Sequence, residues 1–104
     1  MRTDHMQTAP QLDAIYQQDS SIVSREIAGE VILVPIRQNV GDLESIYTLN
    51  ETAALAWQLV DGERTLSQIC DRIVAEFEVT PQEAQDDLVE LVRQLEGFGA
   101  LKRV

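Results

Sequence analysis

Cysteine, histidine, aromatic residues and long apolar runs are all scarce in this 104-residue sequence. The single cysteine, Cys70, excludes an intramolecular disulfide and is typical of a reducing compartment, so we expect a cytoplasmic location. No run of about 18 apolar residues is present, so no membrane span is predicted. The N-terminus is polar and lacks the apolar segment of a secretory signal.

Basic residues are scarce as well. Eight lysines and arginines stand against 18 acidic residues, which gives a net charge of −10. Nucleic-acid binding depends on basic side chains that neutralise phosphates, so this composition argues against a nucleic-acid partner. Residues 50–104 alone carry eleven acids and five bases. We therefore expect a partner that is basic or neutral.

The residue combinations that catalysis and metal binding require are missing. His5 has no cysteine near it to complete a metal site, and no histidine lies near Cys70 to act as its base. Asp86, Asp87 and Glu90 have the spacing of a solvated helix face. No glycine-rich phosphate loop is present. We expect no catalytic residue, no cofactor and no metal, and hence a protein that is not an enzyme.

The length suits one domain with a modest core. Residues 1–20 show no sustained period and are predicted to be a flexible N-terminal arm, which leaves residues 21–104 as the folded domain. Residues 22–36 are rich in β-branched side chains and contain the turn pair Ala28-Gly29, which predicts a β-hairpin. A short third strand is predicted at residues 45–49.

From Asn50 onward the apolar period is that of helices. Asn50 is a good N-cap for a first helix, and Trp57 shares an apolar stripe that assigns it to the core. Residues 65–68 (TLSQ) and 80–83 (TPQE) are capping boxes that begin a second and a third helix.

The third helix is predicted to run to about Glu96, where Gly97 and Gly99 stop it. Residues 100–104 then either add a short strand or simply dock against the domain. The predicted fold is α+β: a three-stranded antiparallel sheet followed by three helices.

Several landmarks lie at fixed spacing along most of the chain. They are residues 47–54 (YTLNETAA), 57–65 (WQLVDGERT), 69–70 (IC) and 95–101 (LEGFGAL). Together they resemble the PqqD family of leader-peptide chaperones, with a likeness that extends over residues 22–102. The chain departs from PqqD proper in a longer connection at residues 38–44, and in Ala100-Leu101 where an aromatic residue is expected.

The resemblance implies a winged helix-turn-helix-like domain that binds peptide and does not catalyse. Such a domain holds the leader of a ribosomally made precursor peptide and presents it to a modifying enzyme, which for PqqD is a radical S-adenosylmethionine enzyme. The leader adds as a strand beside the third strand and against the third helix. Because of the two departures, the pathway is either pyrroloquinoline quinone biosynthesis or a related one, such as that of a lasso peptide.

Strand addition requires an exposed edge and side-chain pockets. The third strand is short and apolar, as an edge strand would be, although an ordinary covered strand has the same pattern. On the third helix, Val89 lies about 100° from the core axis, on a flank that mixes apolar and hydrogen-bonding side chains. The predicted peptide-binding residues are Ser45, Ile46, Tyr47, Thr48 and Leu49 on the strand, and Gln85, Val89, Val92 and Arg93 on the helix.

Two other functions are compatible with a small acidic domain. A winged-helix transcription regulator is the first alternative, but the predicted third helix carries five acids and only Arg93 as a base. A carrier protein is the second. Its best attachment site, Ser20 or Ser21, precedes a predicted strand, whereas an attachment serine would be expected to open a helix.

Overall fold

The structure is a computed structural model that describes residues 12–36 and 46–104. Its elements, in chain order, are β1 (Tyr16–Gln18), β2 (Ile22–Ile27), β3 (Glu30–Pro35), β4 (Tyr47–Leu49), α1 (Glu51–Leu59), α2 (Leu66–Glu76), α3 (Pro81–Phe98) and β5 (Leu101–Arg103). The predicted α+β order of a three-stranded antiparallel sheet followed by three helices is confirmed.

Strands β2, β3 and β4 form the antiparallel sheet in that order. The β2–β3 hairpin turns at Ala28 and Gly29, whose φ angles of 54° and 84° fit a two-residue turn with both central residues in the left-handed region. β4 begins at Tyr47, so it is shorter than the predicted strand. Ile46 precedes it, and Ser45 lies outside the described residues.

All three predicted helix starts are confirmed. The Asn50 side chain accepts a hydrogen bond from the backbone N–H of Ala53 at 2.8 Å. The capping boxes that begin at Thr65 and Thr80 are both formed, and each satisfies backbone donors of a first helical turn.

The end of α3 lies further along the chain than predicted. Gly97 is inside the helix, and α3 continues to Phe98. Gly99 alone ends it, because its φ of 87° is left-handed and turns the chain toward β5. A glycine within the last helical turn therefore did not stop the helix, since its ordinary helical φ is open to any residue.

The core lies between the inner face of the sheet and the three helices. Trp57 is only 4% exposed, as its helical stripe predicts. The best-buried large side chains come from β3, α2 and α3. They are Leu33, Leu66, Ile69, Ile73, Leu88, Leu95 and Val92. The helices thus cover one face of a sheet that is too small to be stable alone.

Residues 12–20 differ from the flexible arm predicted for residues 1–20. β1 pairs antiparallel with β5, and Tyr16, which is 3% exposed, belongs to the core. Ala14 is equally buried, and its carbonyl accepts a hydrogen bond from the Leu66 N–H at 3.0 Å. The segment is ordered because its partner strand lies at the other end of the chain. Of the two possibilities for residues 100–104, the short strand is the one observed; residues 1–11 lie outside the described residues.

Candidate functional site

A groove with a volume of about 300 Å³ separates β4 from α3. Its walls come from β4, the α1 start, one α2 residue and one flank of α3. The lining residues are Tyr47, Thr48, Asn50, Thr52, Ala53, Ala56, Ile73, Asp87, Leu88, Glu90, Leu91 and Gln94. The sheet and the longest helix therefore leave an open channel where they diverge.

β4 offers a free edge to this groove. It is the terminal strand of the β2–β3–β4 sheet, and β3 occupies only one of its two sides. Among the described residues, no strand pairs with the other side. An edge strand carries backbone N–H and C=O groups that a further strand can satisfy. The groove thus has a wall that can form main-chain hydrogen bonds.

Tyr47 connects the two walls. Its hydroxyl donates a hydrogen bond to Oε1 of Gln94 on α3. Its ring packs against Phe98 with centroids 5.7 Å apart and the ring planes inclined at 60°. Burial raises the pKa of the Tyr47 hydroxyl, and the Glu90 carboxylate raises it further. Tyr47 therefore stays neutral and holds β4 at a fixed distance from α3.

The α3 wall combines an apolar base with an acidic rim. Leu88 is 2% exposed and belongs to the core, whereas Leu91 is half-buried. Asp87 and Glu90 are exposed above them. Gln94 Nε2 donates to Glu90 Oε2 at 3.0 Å, which extends the hydrogen bonding from Tyr47 along the rim. Such a wall suits a guest with apolar side chains beside the base and basic or neutral side chains beside the rim.

The strand half of the predicted site divides into groove and non-groove residues. Tyr47 and Thr48 line the groove. Leu49 is 3% exposed and belongs to the core, so its side chain is not available to a guest. Ile46 is 48% exposed beside the groove, and Ser45 lies outside the described residues.

The helix half of the predicted site lies elsewhere. None of Gln85, Val89, Val92 and Arg93 lines the groove. Val92 is 1% exposed and is a core residue. Gln85 and Val89 are half-buried, and exposed Arg93 has its Nη1 4.0 Å from Glu90 Oε1. The residues that do line the groove from α3 were missed: Asp87, Leu88, Glu90, Leu91 and Gln94.

The reason is the angular position of each residue on α3. At about 100° per residue, Leu91 and Gln94 lie on one side of the core axis through Leu88, and Val89 lies on the other. The Val89 side of α3 also carries Glu96. Burial raises the pKa of the Tyr16 hydroxyl of β1, and the negative charge of Glu96 lies close enough to Tyr16 to help raise it. The β1–β5 pair therefore lies beside the C-terminal part of that side of α3, a neighbour that sequence periodicity could not reveal.

The sequence matches the family model of Coenzyme PQQ synthesis protein D (PqqD) over residues 30–101, well over half of the chain. The chain belongs to the PqqD family. The matched region contains β3, β4, all three helices and the first residue of β5. Every residue that lines the groove lies within it.

Two solved structures share the fold of this PqqD-family chain. One is described as "Lasso peptide synthetase B1 complexed with the leader peptide", with a TM-score of 0.70 and 23% identity over 84% of this chain and 96% of that one. The other, "TbiB1 in Complex with the TbiA(beta) Leader Peptide", has a TM-score of 0.68 and 24% identity over 83% of this chain and 94% of that one. No curated protein sequence matches significantly.

Residues 12–36 and 46–104 of this PqqD-family domain offer little other chemistry. That part of the chain contains no group of three or more histidine, cysteine or acidic residues placed to hold a metal ion. It also contains no helix with the length and apolar character needed to cross a membrane. Cys70 is 8% exposed, and burial raises the pKa of its thiol, with Asp71 adding to the effect. The thiol is therefore a protonated core group.

Proposed function

We propose that this protein binds the leader of a ribosomally made precursor peptide, which adds as a strand to the free edge of β4. The observation that carries the proposal is a terminal strand that opens onto a groove with an apolar base. Main-chain hydrogen bonds to β4 supply affinity that does not depend on leader sequence. Alternate leader side chains enter the groove and provide selectivity, because successive side chains on a strand point to opposite sides.

The groove predicts the chemistry of the leader. Apolar side chains would pack against Leu91 and Ala53, and basic or neutral residues would lie beside Asp87 and Glu90. Each filled apolar pocket contributes roughly 2 kcal/mol, and each strand hydrogen bond about 1 kcal/mol net. Ordering a free leader costs about 2–5 kcal/mol, so a moderate affinity is expected.

A second recess in the domain is less suited to strand addition. It has a volume of about 340 Å³ and is bordered by Val31, Leu49, Leu55 and Phe77, among others. Val31 and Leu49 face each other across the β3–β4 ladder, so their strands already pair there. The β4–α3 groove is the recess with an open strand edge, and we place the leader in it.

The comparisons support this assignment. The family is named for a step in coenzyme PQQ synthesis, and both structural neighbours are described as complexes with leader peptides. A DNA-binding role is disfavoured, because the exposed surface of α3 is acidic and its one arginine, Arg93, lies beside Glu90.

The wider role follows from leader binding. The protein acts in the cytoplasm as a non-catalytic chaperone that presents the precursor to a modifying enzyme. We propose a radical S-adenosylmethionine enzyme as that partner, in pyrroloquinoline quinone biosynthesis or a related pathway such as that of a lasso peptide. No cofactor of its own is needed for this role.

Strand addition can be tested through the backbone of the leader. A fluorescent synthetic peptide with the leader sequence of a candidate precursor is titrated with the protein while its anisotropy is followed. Leaders with a single N-methyl group at successive positions are then compared. A strand that pairs with β4 donates alternate N–H groups, so affinity should fall at every second position within one short window. A loss without this alternation would contradict strand addition, and a leader that does not bind would overturn the function.

A further inference from the structure

The outer face of the three-stranded sheet carries most of the exposed large apolar side chains of the domain. Four large hydrophobic residues in the described chain are exposed: Ile27 at 55%, Ile36 at 56%, Ile46 at 48% and Val104 at 66%. Ile27 is the last residue of β2, Ile36 directly follows β3, and Ile46 directly precedes β4. Scattered exposed apolar residues need no explanation, but three on one small sheet form a patch that does.

The strand register places these residues on one side of the sheet. Leu33 is fully buried and marks the inner face, so its neighbours Ile32 and Val34 point outward. Val23 pairs with Val34, and Ile32 lies between Arg25 and Thr48. Residues that pair directly across an antiparallel ladder share a face. We define the outer face by the apolar residues Val23, Ile27, Ile32, Val34, Ile36 and Ile46, together with the charged residues Arg25 and Glu30, which pair with Ile32 and Ile27.

Arg25 gives this apolar face a charge of its own. Arg25 lies on β2 and pairs with Ile32 of β3, the middle strand of the sheet. This position places Arg25 among the aliphatic side chains of the outer face. Among the described residues it makes no ion pair, whereas Arg64, Arg72 and Arg93 all lie within 4.0 Å of an acidic side chain. A partner that presents a carboxylate would complement it.

Charge also argues against a second copy of this chain as the partner. Two outer faces packed about a two-fold axis would bring the same patch of each copy together. Each copy also carries a net charge of −10, so the pair would repel at low salt. The face therefore fits a different protein, one with an apolar surface and a carboxylate opposite Arg25.

The outer face is continuous with the proposed leader site. Thr48 lies on β4, and Ile46 directly precedes that strand, so both residues border the edge at which the leader would add. Alternate side chains of an added strand point outward and would extend this face. A protein docked on the outer face would thus contact the sheet and the bound leader together.

We propose that the outer face is the docking surface for the modifying enzyme, which binds more tightly once the leader has completed the face. This inference rests on the proposed function for its choice of partner. The enzyme contributes an apolar surface and an acidic residue that pairs with Arg25. The arrangement explains how one small domain can hold a leader and still attach to an enzyme, because the groove and the outer face use different sides of β4.

The test uses a purified candidate modifying enzyme, a radical S-adenosylmethionine enzyme, as the probe. Its binding to the immobilised full-length protein is measured with and without the synthetic leader. Ile36→Glu and Arg25→Glu alter the outer face, and Val104→Glu is the matched control, because Val104 is equally apolar, more exposed and outside this face. All three side chains are exposed, so thermal melting should be unchanged.

Both outer-face variants should lose at least about tenfold in enzyme affinity, and the control should lose less than about twofold. Leader affinity should be unchanged in all three, and leader should strengthen enzyme binding to the unaltered protein. Enzyme affinity that survives Ile36→Glu and Arg25→Glu would overturn the inference. If the free protein formed a dimer and Ile36→Glu abolished that dimer, the inference would also be overturned, because a second copy would then occupy the outer face. Enzyme binding measured without the leader does not test the proposed function. Failure of the leader to bind in the anisotropy titration would overturn the proposed function instead.

Discussion

The two flanks of α3 have similar sequences and different surroundings. One flank presents the half-buried Leu91 among polar residues, and the other presents the half-buried Val89 among polar residues. Leu91 lines the groove beside β4, whereas the Val89 flank includes Glu96, whose charge helps to raise the pKa of Tyr16 in the β1–β5 pair. An amphipathic period thus identifies the buried side of a helix, but the neighbouring strands decide which flank stays open to a ligand.

The largest effect expected from this contrast is on stability. Tyr16→Ala removes a core aromatic that lies beneath the covered flank and is 3% exposed. It should lower the free energy of unfolding by about 3–5 kcal/mol, as other buried aromatic truncations do. Urea unfolding measures this loss. The affinity of the folded fraction for the leader should be retained, and a normal stability with lost leader binding would reverse the roles assigned to the two flanks.

The second effect separates the flanks by binding. Leu91→Glu places a carboxylate in the apolar base of the groove, next to Asp87 and Glu90. It should reduce leader affinity at least about tenfold, because an unpaired charge would be buried under the peptide. Val89→Glu is the matched control on the covered flank, with an expected loss below about twofold. Anisotropy titration measures the leader affinity of both variants. A larger loss of affinity for Val89→Glu than for Leu91→Glu would instead place the leader on the Val89 flank, as periodicity predicts.

A smaller effect is expected at the contact that joins β4 to α3. Tyr47→Phe removes the hydroxyl that donates to Gln94 and keeps the ring that packs on Phe98. The free energy of unfolding should fall by about 1 kcal/mol, the net value of one hydrogen bond. A change in melting temperature tests this, with Gln94→Glu as a companion that keeps an acceptor. If Tyr47→Phe left stability unaltered, the hydroxyl contact would have no structural role.

The smallest effect is a dependence on alkaline pH. The pKa values of Tyr16 and Tyr47 are both raised above 10.0, chiefly by burial, with Glu96 and Glu90 respectively as further causes. A raised pKa means that the folded state keeps its proton longer than the unfolded state. The contribution of these two hydroxyls to stability should therefore be constant below about pH 10 and be lost as the pH rises through the folded pKa values. Absorbance titration of tyrosinate checks it; ordinary pKa values for both tyrosines would contradict the burial of their hydroxyls.

Much of the fold could be predicted because its signals are local. The turn at Ala28-Gly29 and the capping boxes at Thr65 and Thr80 each depend on residues within one turn of each other. The β1–β5 pair could not be predicted in this way, since it joins residues 16–18 to residues 101–103. Three-residue strands carry too little alternation to indicate a partner so distant in sequence.

The same missing contact limited the prediction of the site. The sequence left two possibilities open for the third strand, an edge strand or an ordinary covered strand, and the sheet order shows that β4 is a terminal strand. The predicted helix residues lie on the opposite flank of α3 from the groove, and one of them, Val92, is a core residue. Periodicity places Val92 only about 40° from the core axis through Leu88. At so small an angle, an ideal helical wheel does not separate a core residue from one at the edge of a binding surface.

The central claim is that the leader lies between β4 and the Leu91 flank of α3, and a nuclear magnetic resonance titration tests it most directly. Isotope-labelled protein is titrated with the same synthetic leader peptide, and backbone amide shifts are mapped. The largest shifts should occur at residues 46–50 and at Asp87, Glu90, Leu91 and Gln94. Shifts concentrated at Gln85, Val89 and Arg93, or confined to β2 and α2, would contradict the groove assignment even if the leader bound tightly.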